Sequence, residues 1–143
     1  MGTLMMNELD QIRVLLLETD PEKIFFIKEL LKGIGAEFTT TVADGGRKAL
    51  DVLDRSIGKD ARPIDLVIMD SVRNEIEMSD ILTYMRSMHG LQKIPVVVMA
   101  KSMKRIEEMI IRSEGTAHCI IRPSSHSEFE AMQTLIKEVL HRS

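Results

Sequence analysis

The sequence contains very few aromatic residues and almost no cysteine. Tryptophan is absent, and the 143 residues include one tyrosine and one cysteine, Cys119. A single cysteine cannot form an internal disulfide, which suits a reducing, cytoplasmic compartment. Lysine and arginine number 19 against 22 aspartate and glutamate residues, for a net charge of −3. Because no block of like charges occurs either, we expect no nucleic acid partner.

Long apolar runs are also missing. No stretch approaches the roughly 18–20 apolar residues that a membrane span requires, so we expect no membrane partner. Residues 1–11 lack a basic segment followed by an apolar core, which argues against a signal peptide. We expect this segment to be a disordered lead or an expression remnant, followed by one domain over residues 12–143.

Short apolar runs alternate with amphipathic stretches along the chain. Apolar runs of this length are typical of parallel strands buried on both faces, and the stretches between them carry apolar residues at helical spacing. The predicted strands are residues 12–17, 38–42, 64–69, 95–99 and 117–121. Each is followed by a predicted helix, the fourth of them around Met103–Ile110. This alternation predicts an α/β fold, a doubly wound parallel sheet with helices on both faces.

Functional residues of such sheets lie beyond the carboxyl ends of the strands, where the strand order reverses. In a flavodoxin-like sheet of order 2-1-3-4-5, the first and third strands are neighbours. Glu18 and Asp20 follow the first predicted strand, Asp70 follows the third, and Arg122 follows the fifth. Clustered carboxylates repel one another unless a cation intervenes. The pattern therefore predicts an acidic pocket of the kind that binds Mg²⁺ together with a phosphate.

Five short motifs follow one another from the first predicted strand to the last. They are an apolar strand with an acidic cluster and a proline (Val14–Pro21), a helix start (Ala43–Leu50), a strand ending in aspartate (Asp65–Asp70), an apolar strand (Pro95–Met99) and a glycine seven residues before an Arg-Pro pair (Gly115, Arg122, Pro123). In this order they resemble the CheY-like receiver domain of two-component response regulators. The resemblance implies a phosphorelay signalling domain with Asp70 as phosphoacceptor, and no enzymatic activity beyond self-catalysed phosphoryl transfer.

Several positions depart from the pattern of that family. The family's acidic pair falls on Glu18 and Thr19, so a hydroxyl replaces one metal-binding carboxylate. The switch threonine or serine is Ala100, and the switching aromatic falls at Cys119. The family lysine is Arg122, which is not an equivalent cation. We therefore expect a degenerate receiver, with an impaired metal site and switch.

The resemblance also assigns roles to individual residues. The phosphoryl-transfer site would consist of Asp70, Arg122 in place of the family lysine, and Ala100 in place of the switch residue. A Mg²⁺ site, weak at best, would use Glu18, Asp20, Asp70 and the backbone carbonyl of Val72. We further expect a salt bridge from Arg122 to Asp70 or Glu18, and a cis Arg122–Pro123 peptide bond that aims Arg122 at Asp70.

The resemblance implies protein partners, and two other functions remain open. A histidine kinase, a phosphotransfer protein or an effector would bind, the last through the face formed by the predicted helix around Met103–Ile110, the fifth strand and the last helix. One alternative is a pseudo-receiver that binds proteins independently of phosphorylation. The other is a flavodoxin-like small-molecule binder, which the acidic Glu18-Thr19-Asp20 sequence disfavours because it would repel a phosphate.

Overall fold

A computed structural model describes residues 11–70, 75–104 and 117–142 of the chain. Strands and helices alternate along these residues as the sequence predicts, except between the fourth and fifth strands, and every strand limit lies within two residues of the predicted one. The elements are β1 (Ile12–Leu17), α1 (Pro21–Lys32), β2 (Phe38–Ala43), α2 (Gly46–Arg55), β3 (Leu66–Asp70), α3 (Glu75–Ser87), β4 (Val96–Ala100), β5 (His118–Ile121) and α4 (His126–Arg142). The helix predicted around Met103–Ile110 lies mostly outside the described residues, as do residues 1–10.

The strands form one five-stranded sheet in the order β2-β1-β3-β4-β5. Every neighbouring pair is parallel, which confirms the predicted order and direction. All residues of β3 and β4 are buried, as expected for central strands covered by helices on both faces. The β1–β3 register pairs Leu17 with Met69, so the residues that follow them, Glu18 and Asp70, stand side by side where these strands end.

Two apolar layers enclose the sheet. On one face Leu15, Val67 and Val98 pack with residues of α2 and α3 such as Leu53 and Ile81. On the other face Val14, Ile68 and Val97 pack with residues of α1 and α4, among them Ile27, Leu31 and Ile136. Each strand alternates its side chains between the two layers, as the pleat of a strand requires. None of the helices in the described parts of the chain is long and apolar enough to cross a membrane.

Helix α1 begins directly beside the carboxyl edge of the sheet. The Asp20 side chain accepts a hydrogen bond from the Glu22 N–H at 2.9 Å, and Pro21 occupies the first helical position. Both features are typical of a helix N-terminus. They fix the direction in which the first turn of α1, including Lys23, leaves the sheet.

Candidate functional site

Asp70 is the last residue of β3 and the centre of the site. The residue is only 4% exposed, and its side chain is completely buried. A buried carboxylate needs a charged or hydrogen-bonded partner, because its desolvation is otherwise very costly. Two cationic side chains meet this need: the Arg122 guanidinium, which donates to Oδ2, and the Lys23 ammonium, whose Nζ lies 3.5 Å from the same oxygen.

Arg122 reaches Asp70 from the end of β5. Its backbone N–H donates to the Ala100 carbonyl at 2.8 Å, which continues the β4–β5 pairing one residue beyond the strand. The side chain then crosses the end of β4 to Asp70 on β3. The predicted salt bridge between these two residues is therefore present.

The prediction of a cis Arg122–Pro123 peptide bond is wrong. The described backbone contains no cis peptide bond, so Arg122–Pro123 is trans. The backbone hydrogen bond to Ala100 already places Arg122 across the strand ends from Asp70. The arginine side chain is long enough to cover the remaining distance, so its ion pair does not depend on a cis bond.

Glu18 is as deeply buried as Asp70, with 1% of the residue exposed. Its Oε2 accepts hydrogen bonds from the backbone N–H groups of Thr19 and Asp20, at 2.9 and 3.0 Å. The carboxylate thus folds back over its own loop and orders it. Its Oε1 is buried and has no hydrogen-bond partner within residues 11–70, 75–104 and 117–142.

Each carboxylate expected to bind the metal contacts other groups of the chain. Asp20 accepts the hydrogen bond that caps α1, Asp70 contacts two cations, and one Glu18 oxygen accepts two backbone hydrogen bonds. No group of three or more His, Cys, Asp or Glu side chains in the described residues is arranged to hold a metal ion. Val72, the fourth expected ligand, lies outside those residues. These residues as arranged do not fit a Mg²⁺ ion, which demands several oxygens in near-ideal octahedral geometry.

The positions of the expected switch are apolar. Ala100 ends β4 and is fully buried, and Cys119 in the middle of β5 is half-buried. Burial raises the pKa of the Cys119 thiol. Neither side chain has a hydroxyl or an aromatic ring. Neither position therefore offers a group that could reorient when the charge at Asp70 changes.

Lys23 is the site residue that sequence reasoning missed. It lies in the first turn of α1, where the positive end of the helix dipole disfavours a cation. That misplaced charge is the signal that could have identified it, since a lysine there needs a nearby anion. Asp70 supplies this anion from the neighbouring strand.

Comparisons with known proteins address the fold of the chain. No family model matches the chain. The transcriptional regulatory protein CpxR of Escherichia coli K12 is 28% identical over 131 residues, which is 92% of this chain and 50% of that protein. The chain thus spans about half the length of the curated relatives it matches.

Solved structures give a more complete overlap. The phosphorylated cyanobacterial phytochrome response regulator RcpA has 23% identity and a TM-score of 0.72, over 93% of this chain and 96% of that one. The Mn²⁺-bound form of the response regulator Rcp1 has 20% identity and a TM-score of 0.69, over 89% and 92%. The chain therefore has the receiver-domain fold of two-component response regulators.

Proposed function

We propose that the chain is a signal-transduction receiver of a cytoplasmic two-component phosphorelay, with Asp70 as its candidate phosphoacceptor and an impaired metal site and switch. The observation that carries this proposal is the buried Asp70 carboxylate at the end of β3, held by Arg122 from the end of β5. The names of similar proteins support it. RcpA is a response regulator crystallised in phosphorylated form, and CpxR is a transcriptional regulatory protein.

The chemistry of such a site is simple. An Asp70 oxygen attacks the phosphorus of a phosphohistidine or a small acyl phosphate. The new P–O bond replaces the bond to the imidazole nitrogen or to the carboxylate oxygen of the donor, which leaves with the bonding electron pair. Positioning and charge neutralisation carry most of the catalysis in such transfers. Arg122 supplies one positive charge beside the Asp70 carboxylate.

Several groups that would assist this transfer are missing. Ala100 cannot donate to a phosphoryl oxygen, and Thr19 replaces a carboxylate with an exposed hydroxyl. Each lost polar contact is worth about 1–3 kcal/mol, and every ~1.4 kcal/mol added to a barrier slows a reaction about tenfold. Although Rcp1 has a Mn²⁺-bound form, Asp70 of this chain is ion-paired to Lys23 and Arg122, and the Asp20 side chain caps α1. We therefore expect slow phosphorylation that changes the structure little.

Incubation with acetyl phosphate tests this proposal. Intact mass spectrometry of the parent chain and of Asp70→Asn, with and without Mg²⁺, measures phosphoryl incorporation. We expect a minor labelled fraction that disappears in Asp70→Asn and depends little on Mg²⁺. Labelling that persists in Asp70→Asn would remove Asp70 from the proposed role. Rapid, stoichiometric and Mg²⁺-dependent labelling would show a fully working receiver.

A second candidate function is protein binding that does not depend on phosphorylation. The observation that favours it is the double ion pairing of Asp70, which neutralises the site without any phosphoryl group. The docking surface would be the face of β5 and α4, together with the helix predicted around Met103–Ile110. An apolar cleft on this face is lined by Met103, Cys119, Ile121 and Ala131, among others. Hydrogen exchange of β5 and α4 that is the same before and after Asp70 labelling supports this function.

A further inference from the structure

The ion pair between Lys23 and Asp70 is a feature that the receiver motifs do not explain. Lys23 comes from α1, Asp70 from β3 and Arg122 from beyond β5, and both cations meet at Oδ2 of the same carboxylate. The Lys23 side chain is 30% exposed while that of Asp70 is fully buried. Lys23 therefore contacts a buried carboxylate while part of its own side chain remains exposed to solvent.

We propose that the Lys23 ammonium acts as a built-in cation that replaces a divalent metal ion at Asp70. The proposal rests on the proposed function only in taking Asp70 as the centre of the site. It predicts that the parent chain binds divalent ions poorly because of Lys23, and not only because a carboxylate is missing at Thr19.

Charge balance is the first argument. Two buried carboxylates, Glu18 and Asp70, stand side by side at the ends of β1 and β3. Lys23 and Arg122 carry two positive charges to the same region, so the formal charges of the four side chains cancel. A divalent ion at Asp70 would add two positive charges beside two cations already in place, and like charges at short range repel.

Competition for ligand oxygens is the second argument. The ammonium is tethered to α1 and does not have to be recruited from solution, which gives it a high effective concentration at the carboxylate. A Mg²⁺ or Mn²⁺ ion would have to displace Lys23 from Oδ2 and gather further oxygens around itself. The helix cap at Asp20 fixes the start of α1 and so maintains the position of Lys23.

The unpartnered oxygen of Glu18 is an independent observation that points to a cation. Glu18 Oε1 is buried and has no hydrogen-bond partner among the side chains and backbone that the structure describes. Burial of a polar oxygen without a partner is costly, so a cation or a donor beside it would be stabilising. Once the charge of Lys23 is removed, Glu18 and Asp70 together offer oxygens to a divalent ion from two neighbouring strands.

Mn²⁺ binding by the full chain tests the proposal, with the loss of the free Mn²⁺ signal in electron paramagnetic resonance as the readout. The key variant is Lys23→Met, which keeps an unbranched side chain only one heavy atom shorter and removes its charge. Lys28→Met is the matched control, because Lys28 is exposed on the same helix and its loss changes the net charge equally. The double variant Lys23→Met with Asp70→Asn shows whether any gained site uses Asp70.

We expect Lys23→Met to bind Mn²⁺ at least about tenfold more tightly than the parent. Lys28→Met should match the parent, and the double variant should lose the gain. Equal affinities of Lys23→Met and the parent, or an equal gain in Lys28→Met, would overturn the proposal. So would low-micromolar binding by the parent. If Lys23→Met does not fold, as circular dichroism would show, Lys23→Gln takes its place under the same criteria.

These outcomes are separate from those that test phosphorylation. Tight Mn²⁺ binding by the parent contradicts the built-in cation but leaves Asp70 a candidate phosphoacceptor. An Asp70 that never accepts a phosphoryl group contradicts the proposed function but leaves the effect of Lys23 on metal affinity intact.

Discussion

The two halves of the carboxyl edge of the sheet differ sharply in polarity. The half formed by β1 and β3 carries the buried carboxylates of Glu18 and Asp70, with Lys23 beside them. The half formed by β4 and β5 ends in Ala100, which is fully buried, and Ile121, with the half-buried Cys119 two residues before the end of β5. Beside the backbone pairing of β3 with β4, Arg122 links the two halves through its side chain at Asp70 and its backbone N–H at the Ala100 carbonyl. The residues that form the charged site and the residues expected to transmit a change of its charge thus lie in different parts of the fold, and one set can be altered without the other.

Replacing Arg122 with methionine should have the largest effect, because it removes this link. Removal of one partner of a buried ion pair costs about 3–5 kcal/mol. Lys23 remains at Asp70 and Arg122 is partly exposed, so we expect a loss of about 2–3 kcal/mol in the free energy of unfolding. Urea denaturation followed by circular dichroism measures it.

Arg55→Met is the control for that variant. Arg55 pairs with Asp51 one helical turn away, and both side chains are largely exposed. Exposed pairs of this kind contribute about 0.3–0.5 kcal/mol. A cost for Arg122→Met no greater than that of Arg55→Met would mean that the link between the two halves contributes little to stability.

Replacing Ala100 with threonine places a hydroxyl at this position. This variant tests whether the half formed by β4 and β5 can be made to respond to phosphorylation of Asp70. Threonine adds volume at a fully buried strand end, and we expect a cost of about 1–2 kcal/mol from overpacking. We also expect no gain in the response to acetyl phosphate, because Cys119 still provides no ring that could move. Hydrogen exchange of β5 before and after labelling measures the response, with Ala100→Val as the control for size. A phosphorylation-dependent change in Ala100→Thr that is absent in Ala100→Val would show that one hydroxyl is enough.

The smallest expected effect concerns the loop between Arg122 and the start of α4. The N–H and hydroxyl of Ser124 donate to Glu128 Oε1, both at 2.9 Å, and these bonds lower the pKa of Glu128 below its ordinary 4.5. A lowered pKa in the folded state contributes stability above the unfolded-state value and loses it as the pH falls through the folded-state value. The stability of the parent should therefore decline slightly more than that of Glu128→Gln as the pH falls below about 4.5.

Unfolding midpoints in urea across this pH range give the measurement. Parallel pH profiles for the two chains would show that Glu128 does not stabilise this loop. The same profiles for Arg122→Met show whether the loop is held independently of the ion pair with Asp70.

The sequence predicts the fold and part of the site, for identifiable reasons. Short apolar runs fix the strands, and the parallel arrangement then brings Glu18 and Asp70 side by side and Arg122 within reach of Asp70. The contact of Lys23 depends on the angle at which α1 leaves the sheet, which residue spacing does not encode. The trans state of Arg122–Pro123 depends on a preference of only about 0.5–1 kcal/mol, which local sequence does not decide.

The hydrogen bond from the Arg122 N–H to the Ala100 carbonyl affects how firmly the edge strand of the sheet is attached. β5 has only four residues, all of them partly exposed, and it pairs with β4 on one side and ends the sheet on the other. Short edge strands limit unwanted pairing with other chains, but they also detach easily. By extending the pairing and anchoring the same residue to Asp70, Arg122 fastens the outermost strand to the centre of the sheet. An attached β5 keeps the edge of β4 covered, so the ion pair at Asp70 also helps to keep that central strand from exposing unpaired backbone groups.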